Sequence, residues 1–307
     1  MLNLNLVYSK QSDLEYKIRK FPDGQQNIVI EKCKINTVGI HGVSYWKLPV
    51  IIKSRLNNWL DLELIVAAVA SLRELGIKEI HLYTPYIVGG RSDRKFEGGG
   101  NNYLKDVICP VINSLKLDSV TCLDPHSDVL EACIKNFKKY SNLELVSFAL
   151  ENLGKHLKDF VLIAPDAGAT KKIYKLANIV NYKEDIITCS KDRDTDGNLT
   201  NTTFPFHGNN EKDFIIIDDI CDGGSTFINI AKKIKEYFNH EDFDGAKLPK
   251  IYLVVTHGIF SKGLGELSQY FDCIYCTNSY NDIKGLEFFT EGGNIDKEKF
   301  VKQLNVF

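Results

Sequence analysis

The segment Phe214-Ile-Ile-Ile-Asp-Asp-Ile-Cys-Asp-Gly-Gly-Ser-Thr-Phe227 constrains the fold more than any other stretch of the chain. Its four apolar residues, Phe214 to Ile217, read as a buried strand. Asp218 and Asp219 stand at the C-terminal end of that strand, and a Gly-Gly loop leads into a helix expected from Ser225. Strand, tight loop and helix N-terminus together make an anion cradle, because backbone N–H groups and the positive end of the helix dipole converge there. Glycine lets the backbone come close to a ligand, and Ser225 and Thr226 add hydroxyl donors. Carboxylates beside an anion nest make chemical sense when the ligand is a sugar phosphate. The loop Asp222, Gly223, Gly224, Ser225, Thr226 then holds the phosphate, while Asp218 and Asp219 accept hydrogen bonds from ribose hydroxyls. The plainer alternative is an ordinary strand-to-helix turn of an α/β sheet.

The same alternation of strand and helix signals runs through the chain. The spacing predicts a helix over Asn57–Leu75, with Trp59, Leu60, Leu64, Ala67, Ala68 and Leu72 on its apolar face and Gly76 just past its end. A strand over Glu79–Tyr83, a loop, a helix over Asn101–Leu115 and a strand over Ser119–Leu123 follow. The pattern restarts near Leu145, with strands at Phe160–Ala164, Ile186–Cys189, Phe214–Ile217, Ile251–Val255 and Cys273–Tyr275. Helices are expected at Ala169–Ala177, Ser225–Phe238 and, at the tail, Asp296–Leu304. Alternating elements imply mainly parallel sheets covered by helices on both faces. The 307 residues suffice for two such α/β domains, placed at 1–145 and 146–307. In sheets of this kind ligands gather at the C-terminal ends of the strands.

Composition narrows the function. A net charge of −2 argues against a nucleic-acid partner held by bulk charge. No run approaches the roughly 18 apolar residues of a membrane helix, and the N-terminus lacks the basic segment and apolar run of a secretory signal. The eight cysteines are scattered, which reads as free thiols in a reducing cytoplasm. Cys273 and Cys276 form a C-x-x-C without a second pair, so strand packing is the reading for both rather than zinc.

Several residues carry chemistry in their own right. His126 and Asp166 each follow an apolar strand, one in each half, and closing the halves would bring both to one Mg²⁺. Magnesium is held by few protein groups together with phosphate oxygens. Lys191 and Arg193 lie in the polar stretch Ser190–Thr203, whose apex is Asp196-Gly197-Asn198, the pattern of a hairpin or lid. Pro22-Asp23-Gly24 is a turn signature.

These motifs, in this order, resemble those of the ribose-phosphate pyrophosphokinase family over nearly the whole chain. Lys20-Phe-Pro-Asp-Gly-Gln25 is similar to the family's F-x-D-G-E loop, and Arg91-Ser-Asp-Arg-Lys95 to its R-Q-D-R-K segment. Asp124-Pro-His126 resembles D-L-H, Ala164-Pro-Asp-Ala-Gly168 resembles S-P-D-x-G, Ser190-Lys-Asp-Arg193 resembles the flexible loop, and Thr256-His-Gly-Ile-Phe-Ser261 resembles T-H-x-I-F-S. The resemblance implies two phosphoribosyltransferase-like domains, with the nucleotide on the N-terminal side and the ribose-phosphate loop and lid in the C-terminal one. It implies ATP contacts from Phe21, Asp23, Gln25, Arg91, Ser92, Asp93 and Arg94, with Phe21 near the adenine. It further implies Mg²⁺ as cofactor, transition-state charge stabilisation by Lys191 and Arg193, and a homo-oligomer (a dimer or a hexamer built from dimers) in which the Phe21 loop reaches a neighbouring subunit.

The departures are specific. Gln25 replaces Glu, Ser92 replaces Gln, and Gly89-Gly90 stand where Tyr-Ala is usual. The sugar-phosphate loop has lost a hydroxyl at Gly223 and gained one at Ser225. Less bulk at Gly223 would admit a 5′-phosphate carrying a further substituent. The activity implied is therefore transfer of the β,γ-diphosphoryl group of ATP to the 1-hydroxyl of ribose 5-phosphate, with ADP-ribose as the alternative acceptor. A phosphoribosyltransferase and a non-catalytic regulatory homologue are the readings from other classes. The first has no need of the N-terminal nucleotide motifs, and the second should lack His126, Asp166, Lys191 or Arg193, all of which are present.

Overall fold

Long apolar runs become the strands of two parallel sheets in the computed structural model of the protein, which describes residues 1–33, 48–193, 199–207, 212–239, 248–283 and 297–307. Contacts divide the chain into two units, Met1–Ser141 with Val306–Phe307, and Asn142–Asn305.

The first unit contains β1 (Leu2–Asn5), β2 (Leu14–Lys20), β3 (Gln26–Cys33), β4 (Val50–Lys53), α1 (Trp59–Glu74), β5 (Ile80–Tyr83), α2 (Cys109–Ser114), β6 (Ser119–Leu123), α3 (Val129–Cys133) and β7 (Phe137–Tyr140). Strands β1, β4, β5, β6 and β7 pair in that order, every pair parallel. Strands β2 and β3 leave the sheet as an antiparallel ribbon. Asn58 caps α1 by accepting from the Asp61 N–H at 3.0 Å, and the chain leaves the helix through Gly76 at φ +87°. Leu62, Leu64, Ile65, Ala68, Val69 and Leu72 form its buried stripe. Trp59 and Leu60, expected on that stripe, are instead exposed, at 48% and 55%. They stand in the first turn of the helix, where the Trp59 indole N–H donates to the Tyr103 hydroxyl at 2.6 Å. The expected helix over 101–115 is present as a π turn, Leu104–Ile108, running into α2.

The second unit contains α4 (Leu143–Leu153), β8 (Phe160–Ala164), α5 (Ala167–Ile179), β9 (Ile187–Thr188), β10 (Ser190–Arg193), β11 (Leu199–Thr203), β12 (Asp213–Cys221), α6 (Ser225–Phe238), β13 (Ile251–Gly258), α7 (Leu267–Tyr270), β14 (Cys273–Thr277), α8 (Lys297–Phe300) and β15 (Val301–Leu304). Its sheet runs β15-β14-β13-β12-β8-β9, again wholly parallel. Helix α4 belongs here because Leu145, Val146 and Ala149 pack with Tyr252 and Tyr275 of this sheet. The unit therefore begins at Asn142 rather than at residue 146.

Two strands outrun their sequence-based limits. Strand β12 continues through Asp218 and Asp219 to Cys221, and β13 continues to Gly258. Pairing carries them on: Asp218 lies opposite Val255, and Ile220 opposite His257. The tail differs more. A helix expected over Asp296–Leu304 is a single turn, α8, followed by β15, because Val301 to Leu304 find the open edge of β14. Cys273 and Cys276 are buried on β14, as strand packing requires. Among the described residues no helix is long and apolar enough to cross a membrane.

Phe214 shows what holds the second core together. It is fully buried, and its ring meets Phe204, Phe206 and Phe238 edge-on at 6.0, 5.5 and 5.7 Å. Removing it leaves a cavity walled by three rings. Phe214→Ala is expected to cost about 3–5 kcal/mol in a urea titration. Tyr174→Ala, at a half-exposed helical position, should stay within about 0.5 kcal/mol.

Candidate functional site

Strand order places the chemistry of the second unit. From β8 the chain first goes outward to β9, then returns to the other side of β8 to form β12. The turns after β8 and β12 therefore leave neighbouring strands in opposite connections, the position at which open parallel sheets bind ligands. Asp166 follows β8, and the loop Asp222 to Thr226 follows β12.

Asp166 caps α5, accepting from the Ala169 N–H at 3.0 Å. Asp218 and Asp219 lie within β12 itself, pointing to opposite faces as successive strand residues must. Asp219 is 5% exposed, and its Oδ2 takes the Lys172 ammonium of α5 at 2.8 Å. Its backbone N–H donates to Asp218 Oδ1 at 2.8 Å. Part of Asp218 still reaches the surface, yet its carboxyl group is desolvated. That desolvation, reinforced by the charges of Asp219 and Asp166, holds its pKa well above the usual carboxylate range. A small cavity beside it is lined by Asn142, Ala169, Lys172, Ile173 and Ile217.

The loop turns at Gly224, whose φ of +81° suits glycine and which immediately precedes α6. Ser225 and Thr226 form the first turn of that helix, a continuous helix of 14 residues. The turn after β13 is fastened to this loop. Cys221 O accepts from the Ile259 and Phe260 N–H groups at 2.9 and 3.1 Å, and the Ser261 hydroxyl donates to Asp222 Oδ1 at 2.5 Å. Gly223 does not face an open channel. A Cβ placed there would lie 3.3 Å from Cδ and Cε of Lys262.

The polar stretch Ser190–Thr203 is a hairpin of β10 and β11, with Lys191 opposite Thr202 and Arg193 opposite Leu199. Its apex, residues 194–198, lies outside the described residues, so the expected apex Asp196-Gly197-Asn198 does too.

In the first unit, Phe21, Asp23 and Gln25 occupy the exposed tip of the β2–β3 ribbon. It is a closed turn: the Phe21 N–H donates to Gln25 O at 2.9 Å, and the Gln25 N–H to Asp23 Oδ1 at 3.1 Å. Arg91, Ser92, Asp93 and Arg94 lie on the long connection after β5. Ser92 O accepts from the Leu104 N–H at 3.0 Å and Asp93 O from the Asn102 amide at 2.5 Å, which ties the segment to the following helical turn. Arg94 stacks over the Phe96 ring. Gly89 has a packing reason to depart from the usual tyrosine: a side chain there would meet the Tyr103 ring at 2.9 Å. His126 is exposed on the turn after β6, next to buried Asp124 at φ +41°. His257 is buried on β13, its Nδ1 at 2.8 Å from the Ser279 hydroxyl, and so serves the sheet.

The structure thus groups Asp166, Asp218, Asp219 and the loop Asp222 to Thr226 within one unit. It adds Lys172 and Lys262, which sequence reading missed, and gives Ser261, already part of the Thr256–Ser261 motif, a partner in Asp222. Nothing along the sequence signalled Lys172: six residues past Asp166 is about one and two-thirds turns of helix, which does not return to the same side. Among the described residues no group of three or more His, Cys, Asp or Glu side chains forms a metal cluster.

Two parallel α/β units, with a carboxylate-flanked glycine loop at the strand ends of the second, define a two-unit α/β protein. Comparison with known proteins shows what the chain is similar to. The chain is 28% identical over 235 residues to the ribose-phosphate pyrophosphokinase of Mycoplasmopsis pulmonis, covering 74% of this chain and 67% of that protein. It is 24% identical over 268 residues to the ribose-phosphate pyrophosphokinase of Pyrococcus furiosus, covering 86% of this chain and 85% of that one. Among solved structures, phosphoribosylpyrophosphate synthetase from Mycobacterium smegmatis superposes with a TM-score of 0.71 at 18% identity, over 95% of this chain and 86% of that chain. No family model matches. The chain is a divergent relative of the ribose-phosphate pyrophosphokinases.

The raised pKa of Asp218 has a measurable consequence. Between the unfolded carboxylate's pKa and the higher folded value, the folded state binds the extra proton, so stability falls as pH rises through that window. In metal-free buffer, Asp218→Asn is expected to melt about 2–4 °C above the wild type at pH 8. The gap should close as pH falls below the ordinary carboxylate range, where the wild-type carboxyl is protonated in both states. A melting difference independent of pH would show that Asp218 carries no such strain.

Proposed function

We propose that the protein is a magnesium-dependent diphosphotransferase that moves the β,γ-diphosphoryl group of ATP to the 1-hydroxyl of a ribose 5-phosphate unit. The carrying observation is the loop Asp222 to Thr226 opening α6 beside Asp166 and the β12 carboxylates, in a chain aligned with pyrophosphokinases along most of its length. The 1-hydroxyl oxygen attacks the β-phosphorus, the bond from that phosphorus to the α,β-bridging oxygen breaks, AMP departs with that oxygen, and the hydroxyl proton is lost to solvent.

In this reading the N–H groups and hydroxyls of residues 222–226 hold the 5′-phosphate. Asp218, with its neighbour, accepts from the ribose hydroxyls. Asp219 acts through Lys172 as well, since its carboxylate already takes that ammonium. Phe21, Asp23, Gln25, Arg91, Ser92, Asp93 and Arg94 hold ATP in the first unit. His126 and Asp166, each just past a parallel strand of its own unit, are the magnesium ligands. The Asp166 carboxylate, whose charge acts on Asp218, suits a hard cation, and the desolvated charge at Asp218 would be eased by one. When bound, magnesium neutralises phosphate charge. Lys191 and Arg193, on the β10–β11 hairpin, steady the charge that builds on the transferred group. Ribose 5-phosphate is the default acceptor and ADP-ribose the alternative. A cytoplasmic homo-oligomer is the expected form.

The test is AMP release from Mg·ATP with ribose 5-phosphate, ADP-ribose or free bases. AMP formed only with a sugar phosphate supports the proposal and names the acceptor, whereas base consumption without ATP points to a phosphoribosyltransferase. Lys191→Ala or Arg193→Ala should lower kcat roughly 10²–10³-fold with little change in KM. A normal kcat with a raised KM would reassign them to substrate binding.

A further inference from the structure

Gly223 is small because another side chain uses its surface. The atoms Cγ, Cδ and Cε of Lys262 lie 3.5, 3.3 and 3.3 Å from the point a Cβ on Gly223 would occupy. Three consecutive carbons at nearly equal distance mean that the lysine stem lies along the loop, leaving the ammonium one bond beyond. This placement is fixed from behind. Ser261, the preceding residue, is bonded to Asp222, and the Gly263 N–H closes the turn on Phe260 O at 2.8 Å. Lys262 is exposed, and among the described residues it has no acidic partner.

A lysine lying on an anion loop, with its stem packed and its charge unspent, is arranged to meet an anion bound there. Aliphatic stems of lysine pack on apolar or backbone surface while the head stays wet. Holding the stem lowers the entropy lost when the ammonium finds a partner. We infer that Lys262 is a further substrate-binding residue, whose ammonium binds the 5′-phosphate end of the sugar substrate, and that Gly223 is its seat. The loss of the hydroxyl at Gly223 is thereby offset by a full positive charge. This inference rests on reading residues 222–226 as the ribose-phosphate loop. It accounts for the pairing of the two positions: a threonine at 223 would add branches where the lysine stem now lies.

Titration calorimetry of the full chain without ATP tests it, using ribose 5-phosphate, ADP-ribose and unphosphorylated ribose as separate probes. Lys262→Met keeps the stem and removes the charge; Lys262→Arg restores a cation. For whichever phosphorylated sugar the wild type binds, Lys262→Met should weaken binding about tenfold. Lys262→Arg should remain within about threefold of wild type, and ribose should bind all three proteins alike. A Lys262→Met protein that binds the phosphorylated sugar as the wild type does would overturn the role of Lys262 while leaving the loop reading intact. A wild type that binds neither phosphorylated sugar would overturn the loop reading itself, and this inference with it.

Discussion

The constraint on which the second unit depends is the burial of negative charge at the end of β12. A parallel strand shielded on both faces should be apolar throughout, and from Phe214 to Ile217 it is. The strand nevertheless continues, in register with β13, through two carboxylates. One of them is answered by the Lys172 ammonium, reaching over from α5. Among the described residues the other has no comparable ion pair, and it is held in an environment that favours its neutral form. A folded chain keeps such strain where a ligand relieves it, because replacing a buried charge by an amide would stabilise the protein alone. The neighbouring elements follow from this: α5 supplies the compensating lysine, and α6 begins where its dipole offsets the local negative charge.

Much of the fold was legible because parallel sheets write themselves as apolar runs. Ser119–Leu123, Phe160–Ala164 and Ser225–Phe238 have the limits the pattern implies. Errors arose where pairing overrode local composition. Asp218 and Asp219 read as strand-terminating charges, yet a neighbouring strand carries the ladder past them. Val301 to Leu304 carry too little pattern to reveal an edge strand, and only the open side of β14 decides their state. Trp59 and Leu60 fit a helical apolar stripe by spacing, but both stay exposed at the start of α1, with the Trp59 indole hydrogen-bonded to Tyr103.

The site was legible to a different degree. The loop residues, Asp166 and the hairpin carrying Lys191 and Arg193 stand out in sequence because their chemistry depends on local order. Partners brought by tertiary contact do not. Lys262 follows Ser261 in a motif whose conspicuous members are its threonine, histidine and serine, and nothing along the chain links it to Gly223, 39 positions earlier in numbering. The same holds for Gly89, whose missing side chain makes room for Tyr103. At Gly89 and Gly223, then, a missing side chain is matched by another residue in its space, the Tyr103 ring and the Lys262 stem.

The central claim, that a diphosphoryl group passes as a unit to a sugar 1-hydroxyl, is tested most directly by following the phosphorus atoms. A ³¹P NMR time course with Mg·ATP and the competent sugar phosphate should show the ATP β and γ resonances replaced by a coupled diphosphate attached through a carbon-bound oxygen, with AMP rising in equal amount. Appearance of ADP with a sugar monophosphate, or of AMP with free pyrophosphate and an unchanged sugar, would contradict the account.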